Sequence, residues 1–231
     1  MNTSPIKIQR GMTRQLQAWR DTVARPGHRL GWKIGFNMQA DQQRLNLPSA
    51  MLGFLSNERC IRSGGRYQAP ANSQLLVEPE VAILIGRDVP AGSQQDQAPS
   101  AIAAYSAALE LVDTTRSVND DMEAILAGNL FHDSVILSEQ RLPAHTWCRD
   151  QLAFSLCLNG HEVRTLDQAR VPTDFAHIIL TASNILAEQG EQLRNGDWII
   201  TGAAASPVPV QAGDTISLDM GPLGVAELKI T

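Results

Sequence analysis

The stretch Leu75-Leu76-Val77-Glu78-Pro79-Glu80-Val81-Ala82-Ile83-Leu84-Ile85 constrains this chain more than any other. A short apolar run, rich in branched residues and closed by Gly86, reads as a β-strand. Side chains two apart on a strand share a face, so Glu78 and Glu80 stand side by side with Leu76, Ala82 and Leu84. Carboxylates held that close repel, and apolar surroundings make both resist ionisation. A divalent cation that favours carboxylate oxygen, such as magnesium, manganese or calcium, resolves the conflict. A half-solvated strand whose acids face water resolves it equally well, and this stretch alone does not choose between the two. Pro79 marks a sheet edge or a bulge in either case, because it cannot donate to a ladder.

At 231 residues the chain fits one large domain, read as an N-terminal helical segment over 1–28 and a β-roll domain over 29–231. An apolar fraction of 43% supports a substantial core. A net charge of -5 without any basic block excludes a nucleic-acid surface. No apolar run reaches membrane-spanning length and no charged-then-apolar leader is seen, so a soluble cytoplasmic protein is expected. Cys60, Cys148 and Cys157 are too scattered for a disulfide frame or a zinc cluster, and read as reduced.

Met12, Leu16, Trp19 and Val23 recur at helical spacing up to Pro26-Gly27, an amphipathic helix whose apolar stripe is a docking face and suggests a homo-oligomer. Arg29 to Phe36 reads as a strand with Lys33 between Gly31 and Gly35, and glycine in a strand marks a bulge or a close approach by ligand or backbone. Gln39 to Leu45 reads as a short helix, Gly53 to Ala71 as short strands and turns, and Pro90 to Ser100 as a polar loop. Pro99 opens a helix carrying Ile102, Tyr105 and Leu109, which blurs into Ala107-Ala108-Leu109-Glu110-Leu111-Val112-Asp113. If that latter part is a strand, Glu110 shares a face with Ala108 and Val112, where a carboxylate is costly unless paired or metal-bound. Asp113 then points the other way unless a bulge re-aims it.

Ser117 to Gly128 is acidic, and Leu130 to Leu137 is apolar around His132 and Asp133. His132 reads as packed, with a general base as the alternative. Asn159-Gly160 between two short apolar runs signals a hairpin. Thr173 caps a helix ended by Gly190, and short strands with glycine turns close the chain. The class is α+β with strands dominating: a rolled or barrel-like sheet flanked by helices.

Gly31-Trp32-Lys33-Ile34-Gly35, Val77-Glu78-Pro79-Glu80-Val81-Ala82, Leu109-Glu110-Leu111-Val112-Asp113 and Gly196-Asp197-Trp198-Ile199-Ile200-Thr201-Gly202-Ala203 occur in that order. In this the chain resembles the fumarylacetoacetate hydrolase superfamily, and within it the 2-keto-4-pentenoate hydratase / oxalocrotonate decarboxylase branch. The resemblance runs from about Arg29 to near the C-terminus. It implies a mixed β-roll, a magnesium or manganese ion held by Glu78, Glu80 and Glu110, and Lys33 as the active-site lysine. It also implies a pocket lined by Thr201, Gly202 and Asn129, with Asp113 as a further acid behind the ligands. The substrate implied is a small 2-oxo acid, and the first reaction implied is hydration of a 2-hydroxy-2,4-dienoate. A decarboxylase, an acylpyruvate-type C–C hydrolase and a non-catalytic 2-oxo acid binder are the alternatives on the same platform.

The chain departs from that branch in an N-terminal helical region shorter than in the hydratases and at two further segments. The segment matching its Pro-Asp-Phe-Gly is Ala50-Met51-Leu52-Gly53, which has no acid. Pro172-Thr173-Asp174 replaces a Gly-His-Pro segment, and the His-x-x-Glu dyad of the C–C hydrolases is absent, since Gly31 follows His28 at that spacing.

Overall fold

The computed structural model describes residues 3–90, 92–93, 97–116 and 121–231. Parts of the polar loop over 90–100 and the start of the acidic stretch, at 117–120, lie outside the described residues. In chain order the elements are α1 (Pro5–Val23), β1 (Arg29–Gly35), α2 (Gln39–Leu45), β2 (Met51–Ser56), β3 (Cys60–Arg62), β4 (Gly65–Tyr67), β5 (Leu75–Ile85), β6 (Ile102–Asp113), α3 (Met122–Ala127), β7 (His132–Leu137), β8 (Leu142–Pro143), β9 (Ser155–Leu158), β10 (His161–Arg164), α4 (Phe175–Glu188), β11 (Trp198–Ala203), β12 (Val208–Val210), β13 (Thr215–Asp219) and β14 (Val225–Ile230).

The larger sheet runs β2-β1-β11-β5-β6-β7-β3, with β12 also on β5 and β8 also on β6; the smaller runs β10-β9-β13-β14-β4. Both are mixed, since β1·β11, β3·β7 and β4·β14 are parallel while their neighbours are antiparallel. The expected α+β roll is what forms. One face of the larger sheet presents Trp32, Leu52, Val81, Ile83, Leu109, Leu111 and Ile199 to a core shared with Leu156, Ile216, Leu218 and Leu228 of the smaller sheet. Fully burying side chains of this size stabilises by about 1.5–3 kcal/mol each. The opposite face carries a separate small cluster of Leu55, Ala82, Ala108, Val135 and Ile200. By the period-two alternation of strands, Lys33, Glu78, Glu80 and Glu110 belong to this second face.

Ser4 caps α1 and Pro5 opens it, as a proline can where no donor is needed. Met12, Leu16 and Trp19 are buried. Gly11 lets α1 approach α3, for a Cβ there would fall 2.6 Å from Leu126 Cβ, and Gln15 Nε2 donates to Leu126 O at 3.0 Å. The stripe read as a docking face is therefore covered by this chain itself. Among the described residues no helix is long and apolar enough to cross a membrane.

Two expectations about elements need correction. Residues 102–109 are not helical: only Pro99–Ala101 forms a single 3-10 turn, and β6 follows at once. The Ala-rich run suits either state locally, and pairing with β5 on one flank and with β8 and β7 in turn on the other decides for strand. Asp174, not Thr173, caps α4, its side chain accepting from Ala176 N at 2.8 Å. Pro79 lies within the sheet at a break on one flank of β5, where β12 pairs residues 75–77 and β11 pairs 80–84.

Candidate metal centre

Antiparallel register places Glu78 of β5 directly across from Glu110 of β6, with Glu80 one alternation further along. Ligand oxygens of these three acids lie within 4.8 Å of one another. Glu80 and Glu110 are fully buried and Glu78 is partly exposed. Glu80 is sealed from bulk water, while Glu78 keeps part of its surface exposed.

Lys33 enters from β1 and is buried. Its Nζ lies 2.5 Å from Glu110 Oε1 and donates to Leu130 O at 3.2 Å. Gly53, directly across on β2, makes room for its stem: a Cβ there would meet Lys33 Cγ at 2.6 Å and Asn129 Oδ1 at 2.9 Å. Gly31 answers to a close backbone approach, since a Cβ would fall 2.0 Å from Trp198 O. His132 Nδ1 also contacts Glu110 Oε1, at 2.7 Å. Behind Glu80, the β11–β5 register shifts between Ile200 and Ala203. This turns the Gly202 N–H onto Glu80 Oε2 at 2.6 Å, at φ +97°. A Cβ on Gly202 would strike the Asn37 amide at 2.6 Å, so glycine is required there.

Burial pushes the Glu78 carboxyl up to about 7, reinforced by Glu110 and opposed by Lys33 and Arg170. Burial, Glu110 and Glu78 raise Glu80 well above the ordinary carboxylate range. Burial alone would also raise Glu110, but the Lys33 ammonium and the His132 bond outweigh it and hold Glu110 low. Lys33 is correspondingly raised despite its burial, and His132 is lowered by burial against the pull of Glu110. One ammonium thus faces three acids, of which two resist ionising. Glu80 Oε1 and Glu110 Oε2 are buried with no hydrogen-bond partner among the described residues. Orphaned carboxylate oxygens beside unneutralised acids are what a hard divalent cation satisfies, so the residues present fit such an ion.

Several expected pocket residues take other roles. Asn129 accepts from Phe54 N and donates to Phe54 O, both at 2.8 Å, so its amide clamps β2 instead of lining the pocket. Thr201 is buried with its hydroxyl on Val81 O at 3.0 Å, and Gly202 and Ala203 of that turn reach the cavity. Asp113 is not drawn behind the ligands: its carboxylate accepts from Gln74 N, Thr115 N and Thr115 Oγ1, tying the ends of β5 and β6. Phe36 packs against the larger core and also lines the cavity.

That cavity, about 420 Å³, runs from Lys33, Glu78 and Gly202 past Leu76, Val112 and Phe131 and also takes in Asp41 and Arg170. A larger one of about 640 Å³ between α1, residues 46–52 and the end of α4 holds none of the acids. Two features of the site had no sequence signal strong enough to find. Asn129, Leu130 and Phe131 are consecutive left-handed residues, at φ 59°, 54° and 63°. Each costs about 1 kcal/mol or more, and the Asn129 clamp and the Lys33–Leu130 bond hold them there. Arg170 is an isolated arginine in a loop, and only the fold brings it to the cavity.

The fumarylacetoacetate (FAA) hydrolase C-terminal family model matches residues 17–231. A 4-oxalocrotonate decarboxylase of Pseudomonas sp is 22% identical over 210 residues, covering 90% of this chain and 81% of that one. A 2-hydroxyhexa-2,4-dienoate hydratase of Comamonas testosteroni is 22% identical over 208 residues, covering 87% and 78%. Among solved structures, 4-oxalocrotonate decarboxylase from Pseudomonas putida G7, complexed with magnesium and adipate, superposes with a TM-score of 0.88 at 21% identity, covering 97% of this chain and 86% of that one.

Proposed function

We propose, from the premise that the chain belongs to the fumarylacetoacetate hydrolase family, that it is a divalent-metal-dependent lyase acting on a 2-oxo acid or its 2-hydroxydienoate form. The observation that carries this is the pair of buried, unpartnered oxygens, Glu80 Oε1 and Glu110 Oε2, in a cluster with Glu78. These acids would hold magnesium or manganese, the ions their oxygen donors suit. When bound, such an ion supplies a Lewis acid for the keto oxygen of a chelating 2-oxo carboxylate.

The chain's own groups do the rest. Glu110 holds the Lys33 ammonium at the cavity wall, where it binds the substrate carboxylate or returns a proton to the substrate carbon. His132 fixes the Glu110 carboxylate from behind. Leu76, Val112 and Phe131 shield the substrate chain from water.

Loss of CO2 is the reaction favoured. In it a C–C bond breaks, its electron pair passes along the conjugated chain to the keto oxygen, and no residue has to activate water. Met51 and Leu52 are buried and Gly53 is filled by the Lys33 stem, so this segment supplies no acid or base. Hydration is the second reading, favoured by Asp41 on the cavity wall. The test is to follow dienol and enone absorbance with 2-oxohex-3-enedioate and 2-hydroxypenta-2,4-dienoate, with magnesium or chelator. Magnesium-dependent turnover of the first, abolished in Glu80→Gln, is expected. Turnover of the second alone would make the chain a hydratase. Stabilisation by magnesium and oxalate with no turnover of either would leave a non-catalytic binder, and turnover indifferent to chelator would end the metal reading.

A further inference from the structure

The cavity wall carries cations besides Lys33. Arg170 lies between β10 and α4 and shares the cavity wall with Lys33 and Glu78. Asp167 fixes it from one edge, through Nε to Oδ2 at 3.1 Å and through the Arg170 backbone N–H to Asp167 O at 2.9 Å. The terminal nitrogens of the guanidinium make no hydrogen bond to the described residues. Its side chain keeps 30% of its exposure, so the charge is partly desolvated and still reachable. Arg44 also borders the cavity, but it is 66% exposed and engaged by Asp41.

An arginine held at one edge presents a planar fork that matches a carboxylate with parallel hydrogen bonds. The rest of the wall includes Leu76, Val112, Phe131 and Pro207, which suit a short carbon chain. Glu78 is the most exposed of the clustered acids, and the Arg170 charge reaches it. The cavity therefore combines an end that opens onto the acid cluster through Glu78, an apolar wall and a cationic fork held at one edge.

We infer that Arg170 is a specificity residue that receives the far carboxylate of a dicarboxylic 2-oxo acid, whose 2-oxo carboxylate end occupies the acid cluster. This rests on the reading of that cluster given above. It selects a dicarboxylate over a monocarboxylate of equal length.

The test is calorimetry on the magnesium-loaded full chain with oxalate, 2-oxohexanoate and 2-oxoadipate. Oxalate reaches only the acid cluster, and the other two differ in the far carboxylate alone. The wild type should bind 2-oxoadipate at least about tenfold tighter than 2-oxohexanoate, the equivalent of one charge-assisted pair. Arg170→Gln should bring the two within about twofold, with any change in oxalate binding shared equally by all three ligands because it acts through the charge on Glu78, and Arg170→Lys should keep part of the preference. Oxalate binding with no preference in the wild type, or with the preference intact in R170Q, overturns the inference and spares the metal site. Absence of oxalate binding to the wild type overturns the reading of the acid cluster and this inference with it. Should R170Q fail to fold, R170K decides: a preference undiminished from wild type overturns the inference.

Discussion

Nζ of Lys33 lies 2.5 Å from Oε1 of Glu110, and both side chains are almost completely sealed from solvent. A buried pair of this kind adds little over an apolar pair, but removing one partner strands the other as an unpaired charge. Lys33→Met should therefore destabilise the metal-free protein by about 3 kcal/mol, measured by urea denaturation. Adding Glu110→Gln should recover part of that loss, the coupling expected of groups in contact. A Lys33→Met loss below about 1 kcal/mol would show the pair to be solvated in solution.

Metal binding should register as stability. Magnesium with oxalate at about one hundred times its Kd should raise the unfolding free energy by about 2.7 kcal/mol. Glu80→Gln removes one of the oxygens with no protein partner and should cancel that gain. A full gain in the Glu80→Gln protein would place the ion elsewhere.

Glu78 and Glu80, both raised, shape the pH dependence of the metal-free protein in the same sense, and Glu78 sets a defined window. Burial and then Glu110 raise its folded value to about 7 from an ordinary 4.5. Between those values the folded state keeps a proton the unfolded state has released, so rising pH erodes stability across this window and no further above it. His132, lowered by burial, works in the opposite sense below its ordinary 6.5. Comparison with Glu78→Gln isolates the first effect. The denaturation midpoint of chelated wild type, relative to that variant, should fall between pH 5 and pH 7. A relative midpoint that stays level or climbs would contradict the raised acid.

Asn129 clamps the Phe54 backbone through two hydrogen bonds while itself left-handed. Asn129→Ala should cost about 2 kcal/mol, from partners left unsatisfied and from lost tolerance for that backbone. KM for a 2-oxo acid should shift less than kcat, because the Leu130 carbonyl that positions Lys33 follows in the same turn. Unchanged stability with a raised KM would make Asn129 a substrate contact after all.

Local sequence patterns carried much of this protein. Alternation over residues 75–85 made a strand with its acids on one face, Asn159-Gly160 made the hairpin between β9 and β10 with both residues at positive φ, and Gln39–Leu45 became the helix expected. Gly31 marked a real approach of backbone to backbone. These features depend on neighbours a few positions away, which a strand period, a turn type or a missing Cβ fully expresses.

Tertiary structure alone decided the rest. Residues 102–109 have no strong preference of their own and became a strand because neighbouring strands supplied the hydrogen bonds on both flanks. That pairing set the register that faces Glu110 toward Glu78, buried Lys33 against it, turned Asn129 from the pocket to Phe54 and brought Arg170 to the cavity. Each of these joins residues distant in the chain. Such contacts follow from how sheets pair and curl, and no local periodicity encodes them.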